Sequence, residues 1–165
     1  MVKTKTVLNV LHCLCYAWIR RFQGFLMQDC IFCCIAKHEI PASIVYEDDM
    51  FVAFLDIRPI NKGHTLIVPK VHAMTLLDLP DDVLREELVL AKRLAKVILE
   101  VTGFKAFNLF NTNGRESGQE VLHHHLHIIP REDEDGLKLS ISPVQYGEGE
   151  AKELEELIRK GMEGK

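Results

Sequence analysis

Beyond residue 27 the apolar and polar positions fall into short runs that predict strands. Ser43 to Tyr46 and Phe51 to Leu55 read as two strands joined by Glu47-Asp48-Asp49, a hairpin pattern. His64 to Val68 predicts a third strand, entered through Asn61-Lys62-Gly63 and stopped by Pro69. Phe107 to Asn111 and Leu122 to Ile129 predict two more, separated by a polar, glycine-containing loop. Between the third and fourth strands the period changes. Leu84, Leu88, Ala91, Ala95 and Ile98 form one apolar stripe, acidic residues crowd its start and Gly103 follows its end, so a helix is predicted over Asp81 to Thr102. A second helix is predicted from Glu150 to Met162, with Leu154, Leu157, Ile158 and Met162 on one face. Its Glu155–Arg159 and Glu156–Lys160 pairs mark a solvated outer face. Hairpins dominate and no βαβ alternation occurs. The expected class is therefore α+β: a five-stranded, mainly antiparallel sheet with one long helix and a C-terminal helix.

The first 26 residues follow another pattern. Lys3 and Lys5 precede a nearly unbroken apolar run from Val7 to Ile19, which mimics a signal peptide. Trp18, Arg20, Arg21 and Phe22 then stand where a small-residue cleavage site would be, and the run is short of the ~20 residues that span a bilayer. Leu8, Leu11, Cys15, Trp18, Phe22 and Phe25 recur at helical spacing. The segment fits a docking or membrane-surface helix, a signal anchor, or a stretch ahead of a natural start at Met27. The last is the expectation, because a compact domain begins at Gln28-Asp29-Cys30. His12, Cys13 and Cys15 are assigned no chemistry. The expected organisation is an extension over 1–26, a domain over 27–136 and a tail over 137–165.

Composition narrows the function. The 165 residues carry 47% hydrophobic and 27% charged side chains, enough for one domain with a core. The net charge of −4 gives no reason to expect nucleic acid as a partner, and no membrane association is expected. Five cysteines, an odd number, do not make a secreted disulfide framework, so a reducing, cytoplasmic setting is expected. Cys30 and Cys33 then read as metal ligands or a redox pair, to be decided by what other ligands exist.

The informative stretch is His123-His124-His125-Leu126-His127-Ile128-Ile129-Pro130. On a strand, His123, His125 and His127 share one face, and His124 joins Leu122, Leu126 and Ile128 on the other. Packing explains three imidazoles in a row poorly, since each needs partners for two ring nitrogens. Solvated histidines on a surface strand do not suit the apolar flanks. A pure metal site would put the ion awkwardly along the strand. A catalytic role suits the spacing better. Neutral imidazole, with a pKa of ~6.5, attacks phosphorus near neutral pH, and the resulting phosphoramidate is cleared by water. Its other nitrogen must be tied to a fixed acceptor, and neighbouring histidines can serve phosphate oxygens and leaving group.

His-x-His-x-His followed by two apolar residues resembles the signature of the histidine-triad (HIT) superfamily. The resemblance runs from Asp29 to Arg131, through Cys30-Ile31-Phe32-Cys33, Ala53-Phe54-Leu55-Asp56-Ile57, Asn61-Lys62-Gly63-His64-Thr65, Pro69-Lys70-Val71-His72, Asn113-Gly114 and Gly118-Gln119. The nearest branch resembles the nucleotide-binding phosphoramidases of bacteria and archaea. The resemblance implies that His125 is the nucleophile and becomes transiently nucleotidylated. It implies that His127 bonds to the phosphate or leaving group, that His64 is a fourth active-site histidine and that Gln119 contacts the phosphate or bridging atom. Asp56 would accept from the ribose hydroxyls, Phe54 and Ile57 would lie near a purine base, and Thr112, Asn113 and Gly114 would shape the phosphate loop. The implied assembly is a homodimer joined by helix and edge strand into a ten-stranded sheet.

Three positions depart from the pattern. Thr112 stands where many relatives have Asn. Glu120 stands where Ser or Thr is frequent and is expected to turn away from the phosphate. His124 replaces an apolar residue and is expected to meet solvent or a partner chain. In the zinc-bearing branch the positions of Cys30, Cys33, His72 and His123 hold the metal; that implies a structural zinc, because four protein ligands leave no position for water. Free thiols, as in zinc-free relatives, are the alternative. The expected reaction is hydrolysis of a purine nucleoside phosphoramidate at the α-phosphorus without a catalytic metal. Dinucleoside polyphosphate cleavage, nucleotidyl transfer and non-catalytic nucleotide binding are the rivals. The tail from Leu137 to Gln145 is expected to help select the leaving group.

Overall fold

The computed structural model describes residues 30–133, 135 and 142–163. The apolar N-terminal run, Met27 and most of the Leu137–Gln145 stretch lie outside the described residues. The chain divides into two compact units, residues 1–135 and 136–165.

The first unit is built on five strands: β1 (Ile44–Glu47), β2 (Phe51–Leu55), β3 (Thr65–Pro69), β4 (Ala106–Phe110) and β5 (Leu126–Arg131). They pair in the order β1-β2-β3-β5-β4, antiparallel at every step. The β1–β2 turn is held by Asp48, whose Oδ1 accepts the backbone N–H of Met50 and of Phe51. A short helix, α1 (Ile31–Ala36), precedes the sheet, and α2 (Asp81–Thr102) links β3 to β4.

The two helices cover opposite faces. Leu90, Ala91 and Ala95 of α2 pack on Phe51, Ala53, Ile67, Leu126 and Ile128. Phe32 and Ile35 of α1 pack on Val52, Phe54, Leu66 and Val68. Strand alternation sorts β2 and β3 between these two cores, so both strands are buried on both faces. Burying Ile67 or Ile128 completely contributes about 1.5–3 kcal/mol each.

α2 has the predicted bounds. Gly103 caps it in the left-handed conformation, φ +80°, and donates its N–H to the Leu99 carbonyl at 2.9 Å. Its buried face is rotated from the predicted stripe. Leu88 is exposed, while Glu87 and Leu90 turn inward. Gly63 (φ +86°) presses the β3 entry loop against the end of α2; a Cβ there would meet Thr102 Cγ2 at 2.9 Å and Ile98 Cγ2 at 3.1 Å. Two elements differ from expectation. α1 has too few residues for a period to register. β5 begins at Leu126, not Leu122, because its pairing ends early: its ladder with β3 stops at Ile67–Leu126 although β3 runs on to Pro69 beside β2, and β4 stops at Phe110 opposite His127.

In the second unit α3 (Glu150–Glu163) is an amphipathic helix in which no residue is buried. The Glu155–Arg159 pair forms at 3.2 Å. Among the described residues no helix is long and apolar enough to cross a membrane.

Candidate active site

Only His127 of the three alternate histidines lies on β5; His123 and His125 come from the bent segment that leads into it. That segment is fixed by bonds outside the sheet. The His123 N–H reaches the Val121 carbonyl at 2.9 Å, and the His124 N–H reaches the Ala73 carbonyl at 2.7 Å. The expected shared face nonetheless survives in the rings. Those of His125 and His127 have centroids 4.8 Å apart, and Phe32 of α1 meets the His125 ring edge-on at 5.1 Å.

The hydrogen bonds fix where each ring proton sits. Nδ1 of His125 lies 2.7 Å from the His123 carbonyl oxygen. A carbonyl only accepts, so Nδ1 carries the hydrogen and Nε2 keeps a bare lone pair. On the neighbouring ring the order is reversed. The Ile60 backbone N–H donates to His64 Nδ1 at 3.2 Å, which leaves the His64 hydrogen on Nε2. That Nε2–H donates to His127 Nδ1 at 2.9 Å, so the His127 hydrogen sits on Nε2. The site thus pairs a bare nitrogen with a protonated one. Burial keeps the rings neutral: it pushes His125 below its ordinary value, partly offset by the carbonyl of His123. Burial, then the neighbouring histidines, push His127 down to about 4. Burial also lowers His64, against the opposing pull of Asp56.

Asp56 sits at the end of β2. Its Oδ1 accepts the Arg58 N–H at 2.8 Å, and its Oδ2 lies 3.6 Å from His64 Nδ1. Phe54 is buried against Phe32, with ring centroids 5.7 Å apart, whereas Ile57 is 82% exposed. Across the site runs the loop between β4 and β5. Thr112 is buried; Asn113 accepts the Leu76 N–H at 2.7 Å; Gly114 takes φ +92°. Gln119 is buried beneath this loop. It accepts the Gly114 N–H at 2.8 Å and donates to the carbonyls of Met74 and Val121 at 2.7 and 3.0 Å. Its amide is committed to the backbone around the turn. Glu120 is exposed and reaches Arg58 at 3.4 Å, turned outward as its charge led us to expect.

His124 does not meet solvent. It is buried under α2, where its Nε2 lies 3.0 and 3.1 Å from the two oxygens of Glu87, itself buried. Three supporting residues went unassigned from sequence. Phe32 lies within the Cys30–Cys33 stretch, Asn111, which donates to the His125 carbonyl at 2.8 Å, ends a predicted strand, and Glu87 lies in the predicted helix off its apolar stripe.

The second cluster brings all four expected ligands together. Cys30, Cys33, His72 and His123 place one ligand atom each within 4.8 Å of every other. His123 Nδ1 lies 3.3 Å from Cys30 Sγ, 3.5 Å from Cys33 Sγ and 3.2 Å from His72 Nδ1; Cys33 Sγ lies 3.3 Å from His72 Nδ1. Tetrahedral zinc with Zn–S ~2.3 Å and Zn–N ~2.0 Å has ligand–ligand edges of about 3.3–3.8 Å, so the set fits. His123 Nε2 faces the Pro69 carbonyl at 2.9 Å, which puts its hydrogen there and turns a bare Nδ1 to the sulfurs. Burial, reinforced by Cys30, pushes Cys33 up to about 11; a cation between the sulfurs would reverse that. Asp56, His64 and His127 also lie close enough to hold a metal. There the Ile60–His64–His127 hydrogen-bond chain already uses the facing nitrogens.

The HIT domain family matches residues 37–134. A HIT-like protein of Methanocaldococcus jannaschii is 46% identical over 130 residues, 79% of this chain and 96% of its own. The adenosine 5′-monophosphoramidase of Saccharomyces cerevisiae is 46% identical over 105 residues, 64% of each chain. The adenylylsulfatase of Arabidopsis thaliana is 38% identical over 133 residues, 81% of this chain and 68% of its own. Among solved structures, a HIT family protein from Bacillus anthracis superposes with a TM-score of 0.75 at 36% identity, covering 81% of this chain and 97% of that one. A Zn-bound histidine triad family protein from Mycobacterium smegmatis gives 0.64 at 35% identity, covering 70% and 84%.

Proposed function

Because the chain belongs to the HIT domain family, we propose that it is a nucleotide hydrolase that cleaves purine nucleoside 5′-phosphoramidates at the α-phosphorus and releases the nucleoside monophosphate. The observation that carries this reading is the opposed protonation of two adjacent rings. His125 presents a lone pair on Nε2, and His127, 4.8 Å away between centroids, presents a hydrogen on its Nε2.

The reaction follows in two steps. His125 Nε2 attacks the α-phosphorus and forms a P–N bond as the bond to the leaving amine breaks. That amine takes the hydrogen from His127 Nε2 while His127 Nδ1 takes the hydrogen of His64 Nε2. A proton taken up with the substrate and held on His64 Nδ1 beside Asp56 leaves both rings neutral, and the second step reverses the relay. Water then attacks the nucleotidyl-histidine and gives one proton back to His127, and the monophosphate leaves with His125 Nε2 bare again. As His125 becomes cationic in the adduct, its Nδ1–H bond to the His123 carbonyl strengthens. His64 keeps His127 in the donating tautomer. Asp56 would accept from the ribose hydroxyls, with Phe54 and Ile57 beside the base. Thr112, Asn113 and Gly114 would line the phosphate, and Gln119 would act through the Gly114 turn it holds.

The names of the yeast and plant relatives pair adenylate with two leaving groups, an amine and sulfate. They support adenylate as the recognised half. Cys30, Cys33, His72 and His123 would hold a zinc ion that cross-links α1 to the β3 end and the histidine segment, a structural role. A second copy would pair along β4, the sheet edge, where Phe107 and Leu109 are exposed, as Val97 and Val101 of α2 are. The test is AMP release from adenosine 5′-phosphoramidate, compared with adenosine 5′-phosphosulfate and diadenosine polyphosphates. Turnover led by the phosphoramidate supports the proposal; faster cleavage of the polyphosphates would replace it.

A further inference from the structure

The buried pair Glu87–His124 has no part in the chemistry above. Glu87 and His124 are each 1% exposed. Both carboxylate oxygens of Glu87 lie within 3.1 Å of His124 Nε2, and among the described residues Glu87 has no other hydrogen-bond partner. A carboxylate with a single partner in the core is a poor way to gain stability, since two apolar residues would serve as well or better. Its place suggests what it does instead. His124 and His125 are neighbours whose rings point to opposite faces, one to Glu87 on α2 and the other to Phe32 on α1.

The dipeptide is held to the rest of the fold by the His124 N–H on Ala73, by the His125 carbonyl on Asn111, and by the His124 ring, whose Nε2 is bound to Glu87 and whose Nδ1 lies 3.5 Å from Asn111 Nδ2. The remaining bond, from His125 Nδ1 to the His123 carbonyl, lies within the same bent segment. It sets the tautomer only while the His124–His125 peptide keeps its present tilt, and it does not tie the segment to the rest of the fold. Releasing the His124 ring would leave the peptide plane between the two residues free to rock about its two backbone bonds. His125 Nε2 would swing with it.

We propose that Glu87 and His124 are positioning residues: their buried pair locks the His124–His125 peptide to α2 and so aims the ring of His125 at the reacting phosphorus. This rests on the reading of His125 as the nucleophile.

The test separates aim from stability. Removing one partner strands the other and endangers the fold, so the informative variant is the double replacement Glu87→Leu with His124→Leu. It is compared with Glu87→Gln, which keeps an acceptor for His124. Each protein is read three ways: melting temperature, kcat and KM for adenosine 5′-phosphoramidate, and the nitrogen-15 imidazole spectrum of His125. The double variant is expected to melt no lower than wild type and to keep KM within about twofold. Its kcat should fall about tenfold or more, and the fixed Nδ1–H signal of His125 should give way to averaged tautomers. Glu87→Gln should keep both kcat and the signal. Wild-type kcat and a fixed tautomer in the double variant would overturn the proposal, as would a loss in Glu87→Gln equal to that of the double variant. The spectrum needs no substrate. If wild type fails to turn over the phosphoramidate, the functional reading falls alone and the imidazole signal decides the aiming role.

Discussion

His64 Nε2 lies 2.9 Å from His127 Nδ1, and the hydrogen between them belongs to His64, because the Ile60 N–H already occupies its other nitrogen. A backbone amide two rings away thereby determines which nitrogen of His127 can give up a proton. Replacing His64 with Phe would leave His127 free to choose the wrong tautomer.

Leaving-group dependence reports this arrangement. His127→Ala should lower kcat/KM for adenosine 5′-phosphoramidate by about 10²–10⁴, and His64→Phe by a smaller factor in the same direction. An adenylate ester of p-nitrophenol needs no proton on departure, so both variants should cleave it at nearly the wild-type rate. Equal losses on both substrates would exclude His127 as the leaving-group acid.

The metal cluster makes a thermal prediction. Zinc should bind at one ion per chain, and Cys30→Ser with Cys33→Ser should abolish it. At zinc 100-fold above its dissociation constant the linkage contributes about 2.7 kcal/mol, or roughly 5–10 °C in melting temperature for a chain of this size. Metal analysis and paired melts check this. A melting temperature indifferent to the metal would mean that the four ligands merely coincide.

Gln119 links Met74, Gly114 and Val121 through one amide. Gln119→Ala strands the Gly114 N–H and two carbonyls, at a cost of about 1–3 kcal/mol. The loop would then loosen at its left-handed glycine, so KM should rise more than kcat falls. A variant with unchanged KM would remove Gln119 from the account.

Acid stability should carry a signature of His127. Its pKa is about 4 in the fold and 6.5 unperturbed, with burial the main cause. The unfolded chain therefore binds the proton more readily, and its contribution to stability is greatest above pH 6.5 and declines as pH falls toward 4. The difference in melting temperature between wild type and His127→Phe, followed from pH 8 to pH 4, isolates this group from the zinc ligands, which also titrate in acid. Parallel curves would contradict it.

Much of this fold is legible in the residues, for identifiable reasons. α2 has its predicted bounds because a long stripe, an acidic start and Gly103 all agree. The hairpin of β1 and β2 follows from Asp48, whose side chain bonds locally. That the rings of His125 and His127 lie side by side could be read from their spacing, although the segment carrying His125 is not a strand. Whether a residue pairs in a sheet depends on its neighbours, and His123 to His125 give no hint that β4 stops at Phe110 or that the β3 ladder ends at Leu126. Glu87 and His124 lie 37 positions apart. A glutamate within an amphipathic helix reads as solvated until the fold brings a second polar group under it. α1 was missed because six residues without a side-chain cap carry too little pattern.

The proposed reaction passes through a covalently nucleotidylated His125. Intact-mass and peptide mass spectrometry of rapidly quenched reactions with adenosine 5′-phosphoramidate tests it most directly. Wild type should carry an adenylyl adduct on the peptide containing His125, the adduct should accumulate when the second step is slowed, and His125→Ala should lose both adduct and AMP release. AMP release at the wild-type rate from His125→Ala, or turnover by wild type with the adduct on another residue, would contradict it.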